Sequence, residues 1–325
     1  MRHSQRFTAT SIAFTLSLLL AACGGGGGGN SSGTVTQPAT NTTTLGCVDI
    51  APAAISSNTA TEGFNQLNLR RGQMGLLPLS RNSLIDNAAQ GHSVYQKVND
   101  TITHQQTSGR NCFSGITVLD RLTAAQYKFN PANSYAYGEV ISASGDLSGV
   151  SNAEDLVTAI YHRFVMFEPK FKEAGAGSYG LSATGYNFFT VEFAANGLSG
   201  GLGAGNFAIY PFVNQTGIPT VFAHKQESPD PVPDQPQDFV GYPVSVHADI
   251  DTSVTVTSFT LQPRGGQFLP TRLLSSTTDP SGETPASAAA IVPLSPLVSA
   301  TTYDVQFIGA VSGIPVTRSW SFTTK

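Results

Sequence analysis

The chain predicts an α+β fold in two parts, a layered set of helices and strands followed by an all-β sandwich. Three observations carry this. Apolar residues recur at helical spacing in four segments between Thr59 and Phe164. From Leu198 onward the composition turns to glycine runs and a proline-rich stretch at 226–237, with no further helix signal. Strand-like runs after Tyr242 then recur at sandwich spacing. At 325 residues the chain is long enough for about two domains, and the compositional change places them at 47–197 and 198–325. It also predicts that the C-terminal part folds on its own.

The N-terminus reads as a signal peptide over 1–22. Arg2 and Arg6 form its basic region, Ile12 to Leu20 its apolar region, and small residues precede Cys23. Leu20-Ala21-Ala22-Cys23 resembles the bacterial lipobox, which makes Cys23 a lipid anchor. Residues 23–46 are rich in Gly, Ser, Thr and Asn and read as a disordered tether, with a root-mean-square reach of roughly 25 Å. Of 17 basic residues, the loss of Arg2 and Arg6 leaves 15 against 21 acidic ones, a net charge of −6 with no basic patch. That balance disfavours nucleic acid as a partner. Charged residues make up only 12% of the chain, about half the usual share. Such a surface is poor at recruiting charged polymers. Cys47 and Cys112 are the two remaining cysteines, and in an oxidising compartment they most simply form a disulfide; two buried thiols are the alternative.

The first helix opens at Asn58 or Thr59, with Glu62 three residues after Thr59, and carries Phe64 and Leu67 toward a core. The second follows Ser80-Arg81-Asn82 and places Leu84, Ile85, Ala88, His92 and Tyr95 near one face, so His92 reads as a hydrogen-bonded core or boundary histidine. A third runs over Thr117 to Tyr127. For the fourth, Ser151 with Glu154 and Asn152 with Asp155 have capping-box spacing, and Leu156, Val157, Ile160, Tyr161 and Phe164 share one face. His162 falls roughly 150° from that stripe, on a solvated face or the lip of a cleft. Strands are expected around Gly175-Ala176-Gly177 and Phe188 to Phe193.

Two pattern matches carry no chemistry. Gly175 to Gly180 fits a dinucleotide fingerprint but leads into strand instead of opening a helix. Gly29 to Gly33 fits a nucleophile elbow but sits in the tether. In the second half, strands are expected at Tyr242–Ala248, Val254–Leu261, Ala289–Leu294, Tyr303–Ile308 and Val316–Thr323. The segment from Pro293 to Val305 resembles the tyrosine corner of immunoglobulin-like modules, and Trp320 to Thr323 resembles their closing strand. His247, Asp249 and Asp251 read as a solvated strand end and not as metal ligands.

Residues from about Thr59 to Asn196 resemble the CAP superfamily of cysteine-rich secretory, antigen 5 and pathogenesis-related proteins, in its bacterial SCP-like form. The resemblance lies in the order of Asn68, Arg71, Gly75-Leu76, Pro78-Leu79, Ala88 to Ser93, His104, Arg121 to Tyr127, Gly138-Glu139, His162-Arg163, Gly175 to Gly177 and Phe189 to Phe193. It implies an α-β-α sandwich and a cleft of two histidines and two acidic residues that can bind zinc or another divalent ion. His104 and Glu139 match the first histidine and first glutamate. Ala159 stands near the second acidic position, Phe188 near the second histidine, and Val140 where asparagine is usual. With two ligands, a metal site at His104 and Glu139 is expected to be weak or absent unless His162 swings in as a third. The pair can equally be a fold-stabilising hydrogen bond.

These readings lead to an expected function. The chain is read as a non-enzymatic CAP-domain lipoprotein of the bacterial cell envelope, at the outer membrane or periplasmic face, binding a small lipid, peptide or glycan. The alternative is a metal-assisted hydrolase of peptide or cell-wall material, with Glu139 as base and a bound water as nucleophile.

Overall fold

Helix α1 spans Ser57–Gln73, so Thr59, expected to open it, lies inside its first turn. The computed structural model describes Cys47 and residues 57–180 and 184–325; the expected signal peptide at 1–22, the expected anchor Cys23 and the expected tether at 23–46 lie outside the described residues. After the short β1 (Ser80–Arg81), the side chain of Asn82 accepts from Leu84 N–H and opens α2 (Ser83–Asn99). Thr117 and Asp120 close a reciprocal capping box on α3 (Val118–Ala124).

The expected fourth helix is two helices. Ser148, not Ser151, caps α4 (Gly149–Thr158), which breaks at Ala159, where ψ is 116°; α5 (Ile160–Met166) follows. The break serves packing. Leu156 and Val157 of α4 join the main apolar cluster, whereas Ile160, Tyr161 and Phe164 of α5 turn into a second cluster with Phe222, Val240 and Val292. A straight helix could not point one stripe at both.

Strands β2 (Tyr135–Ser144), β3 (Glu173–Tyr179) and β4 (Asn187–Asn196) complete the first sheet, in the order β1-β3-β4-β2. The sheet has α2 and α3 on one face and α1, α4 and α5 on the other. A Cβ on Gly175 would lie 2.1 Å from Asp86 N, and one on Gly177 would lie 2.2 Å from Gln90 N. The glycines that mimic a dinucleotide fingerprint therefore let α2 approach β3. Opposite faces follow from the pleat: Gly138 faces Val165 and Phe171, so Glu139 faces α2 and α3.

The second half forms two four-stranded sheets. One has the order β5-β7-β10-β9, from β5 (Ala208–Tyr210), β7 (Val244–His247), β9 (Thr271–Leu274) and β10 (Ala288–Pro293). The other has the order β6-β12-β11-β8, from β6 (Gln215–Ile218), β8 (Val254–Pro263), β11 (Thr302–Val311) and β12 (Ile314–Thr324). These sheets are consistent with a β-sandwich. All five expected runs are strands, while β5, β6 and β9, of three or four residues each, are too short to leave a periodicity. The Tyr303 hydroxyl accepts from Val298 N–H at 2.8 Å, the local bond expected at that corner.

The two halves share a core. One apolar cluster holds Phe167, Val191 and Phe193 of the first half together with Tyr210, Tyr242, Val244, Phe307 and Trp320 of the second. Arg163 is fully buried at the junction, its guanidinium donating to Pro243 O at 2.8 Å and lying 5.0 and 4.9 Å from the Tyr210 and Tyr242 ring centres. The compositional change at 197/198 is therefore not a boundary of the core. Cys47 and Cys112 are joined as a disulfide, with Cα atoms 5.3 Å apart.

Candidate functional site

His104 and Glu139 are brought together. His104 lies in the loop after α2, Glu139 on β2, and Nδ1 sits 2.8 Å from Oε1. Glu139 is buried, whereas the His104 side chain keeps 17% of its exposure and is where the cluster reaches the surface. The other Glu139 oxygen accepts from Arg121 Nη2. Arg121, on α3 and 1% exposed, also donates from Nε to Glu192 at 3.1 Å and from Nη1 to His104 O at 2.9 Å. One guanidinium thus ties two carboxylates and the His104 loop together.

Glu192 is the acidic partner that sequence reasoning missed. It stands directly across the β2–β4 ladder from Glu139 and is completely buried. Burial raises its carboxyl well above the usual range; Arg121 opposes this, and the adjacent Glu139 charge adds to it. As a carboxylate its Oε2 has no hydrogen-bond partner among the described residues. A proton on Glu192 resolves that, because the acid can then donate to Glu139. For Glu139 burial also works against the charge, but the Arg121 guanidinium and the His104 bond hold it below the usual carboxylate range.

His92 is the buried histidine its helical position suggests. Its Nε2 donates to Thr103 O at 2.7 Å, and Nδ1 accepts from Gln106 Nε2 at 3.0 Å. Burial and the nearby Arg121 charge push its pKa down to about 3, so it is neutral and holds the His104 loop in place.

His162 does not join this cluster. It sits on α5, across the sheet from Glu139, and Nδ1 lies 3.0 Å from Glu227 Oε1. Glu227, from the proline-rich region and 3% exposed, also accepts from Ile160 N at 2.8 Å and Tyr161 N at 2.7 Å. Ala159 has no side chain able to cap α5, so a carboxylate from the second half takes that role. The reading that set His162 near His104 and Glu139, where it could swing in as a third ligand, is corrected by this pairing: the pleat puts Glu139 and α5 on opposite faces of β2. Among the described residues, no group of three or more His, Cys, Asp or Glu is placed to hold a metal ion.

His247, Asp249 and Asp251 also stay apart. His247 is buried, bonded to Ser245 Oγ at 2.9 Å, and kept neutral by burial and by Arg163. Asp251 pairs with Lys170 at 2.6 Å. Asp249, expected in solvent, is buried and accepts from Leu202 N and Gly203 N at 2.7 and 2.9 Å, closing the glycine-rich turn.

Two clefts lie elsewhere. One of about 450 Å³ runs over the outer face of β8, β11 and β12, beside the exposed Phe268. The other, of about 380 Å³, lies between the outer edge of β2, helices α4 and α5, and the segment 219–227.

Residues 64–193 match CAP, the cysteine-rich secretory protein family, and this part of the chain is a CAP domain. Among solved structures, an extracellular protein containing an SCP domain from Bacillus anthracis is 24% identical over 42% of this chain and 40% of that one, with a TM-score of 0.36. An outer surface protein of Borrelia burgdorferi is 18% identical over 41% of this chain and 88% of that one, with a TM-score of 0.33. A venom allergen-like protein of Schistosoma mansoni is 13% identical over 43% and 89%, with a TM-score of 0.30. The chain thus spans less than half the length of the Bacillus anthracis protein. No curated protein matches it. Among the described residues, no helix is long and apolar enough to cross a membrane.

Proposed function

We propose that this chain is a non-enzymatic binding module of the bacterial cell envelope, taking a small lipid, peptide or glycan. It is held at the outer membrane or periplasmic face by lipid on Cys23, with its CAP domain joined to an immunoglobulin-like sandwich. The observation that carries the binding reading is the state of Glu139. Both its oxygens are engaged, one by His104 and one by Arg121, and its pKa is held low. A general base works best with a pKa near the operating pH and a free oxygen aimed at the proton it removes. Glu139 offers neither, which counts against the hydrolase alternative, while clefts of ligand size lie away from it. Zinc or another divalent ion at His104 and Glu139 would find one imidazole and a carboxylate already neutralised by Arg121, a poor donor set for it.

Two experiments test this. Mass spectrometry of the full chain isolated from membranes should find a co-purifying small molecule, and hydrolysis of peptides or cell-wall fragments that is lost in Glu139→Gln would overturn the reading. Cys23→Ser should move the protein out of the membrane fraction; retention there with an unchanged lipid mass shift would remove the anchor.

A further inference from the structure

Strand β2 is the last strand in its sheet. Among the described residues it pairs with β4 alone, and no backbone hydrogen bond joins it to any other described segment. In an antiparallel pair, alternate residues turn their N–H and C=O away from the partner strand. Along Ile141–Ser144 that outer edge forms one wall of the 380 Å³ groove. Ile141 and Ser142 are buried and Ala143 and Ser144 half-buried, so the edge lies in the floor of a cleft and not on an open surface.

The opposite wall comes from the second half. Val221 and Phe239 line it, 36% and 49% exposed, and flank the bridge between Phe222 and Val240 that fixes the wall's position. At the helical end sits Asp155, which makes no ion pair or side-chain hydrogen bond among the described residues. Asp155 is open to solvent, yet partial desolvation by its surroundings, together with the negative charges of Asp146 and Glu154, raises its pKa, as befits a carboxylate without a counter-charge. His162 lines the same groove, with Nδ1 taken by Glu227.

An unpaired strand edge in a groove, apolar side chains on the facing wall and an uncompensated carboxylate at one end define a chemistry. An extended peptide satisfies the edge with its own backbone, and its alternate side chains reach the wall. Four residues span about 13 Å at strand rise, the length of Ile141–Ser144. A lipid tail would leave the backbone groups unmet, and a neutral glycan would leave Asp155 without a cation.

We infer that this groove binds an extended peptide as an added strand on β2, with an apolar side chain against Val221 and Phe239 and a basic group at Asp155. The inference rests on the binding-module reading and names its ligand class.

The test is to pan a random heptapeptide display library against the full chain, then synthesise the enriched peptides. They are expected to carry a Lys or Arg beside alternating apolar residues. Binding should fall at least tenfold in Phe239→Asp and in Asp155→Asn, and should vanish when alternate backbone nitrogens of the peptide are methylated. Both substitutions are at exposed positions, so the thermal transition should stay where it is. No enrichment, binding that tolerates both substitutions, or binding indifferent to methylation would overturn the inference. A lipid or glycan recovered from the native protein with no peptide enriched would overturn the peptide while leaving the binding-module reading intact. Absence of every ligand would overturn both.

Discussion

Replacing Glu227 with alanine should destabilise the whole protein by about 3–5 kcal/mol. The carboxylate is buried and accepts from Ile160 N at 2.8 Å, Tyr161 N at 2.7 Å, His162 N at 3.3 Å and His162 Nδ1 at 3.0 Å. Each charge-assisted bond contributes about 1.5–3 kcal/mol net, and its loss leaves a donor unsatisfied in a buried place. Two short bonds therefore account for most of the figure, and the 3.3 Å contact adds little. The penalty reaches beyond one helix, because Glu227 belongs to the second half and α5 to the first. At about 2 °C or more per kcal/mol for a protein of this size, the midpoint of thermal unfolding followed by circular dichroism should fall by about 6–10 °C. Glu227→Gln should fall in between, since the amide keeps one acceptor but sets an NH2 group against helix donors. A shift under about 2 °C for Glu227→Ala would refute the reasoning and mean that water or a neighbouring carbonyl replaces the cap.

Further expectations concern the disulfide, the buried acids and the cleft. Cys112→Ser opens a loop of 65 residues and should cost about 4 kcal/mol on the chain-entropy relation, read as a lower urea midpoint than that of the oxidised protein. Burial raises the Glu168 carboxyl from 4.5 to about 8 in spite of the Lys170 and Ile250 N–H groups bonded to it. Unfolded, it would ionise near 4.5, so between about pH 4.5 and 8 the folded protein keeps a proton that the unfolded chain gives up, and stability falls as pH rises through that window. Glu192 acts in the same direction, and Glu168→Gln should flatten the slope of urea midpoint against pH; a slope unchanged from the parent would show that Glu168 is ionised when folded. Titration calorimetry of zinc into metal-stripped protein should show no submicromolar binding, and His162→Ala should change nothing because Glu227 and the sheet separate it from Glu139. Submicromolar binding lost in His104→Ala would reverse that conclusion.

What the sequence determined by itself was local. The helices after Ser80-Arg81-Asn82 and from Thr117, their apolar stripes, and the strand-like runs of β8, β11 and β12 are all written within a few residues of one another, and the structure places elements there. The pairing of His104 with Glu139 was legible from the resemblance. Other contacts depended on which distant segments meet. Glu192 is one acid in an apolar run, and only the β2–β4 register sets it beside Glu139 and Arg121. Glu227 sits in a proline-rich stretch without a helix signal of its own, yet it caps a helix more than sixty residues away. The helical wheel put His162 outside the apolar stripe, yet its side chain keeps only 16% of its exposure, and a wheel drawn through Ala159 could not show the break or the face of the sheet on which α5 lies. Periodicity encodes which side of an element is apolar. Which buried charge meets which is decided by strand register and by the packing of two halves into one core, since buried polar groups take partners wherever the fold supplies them.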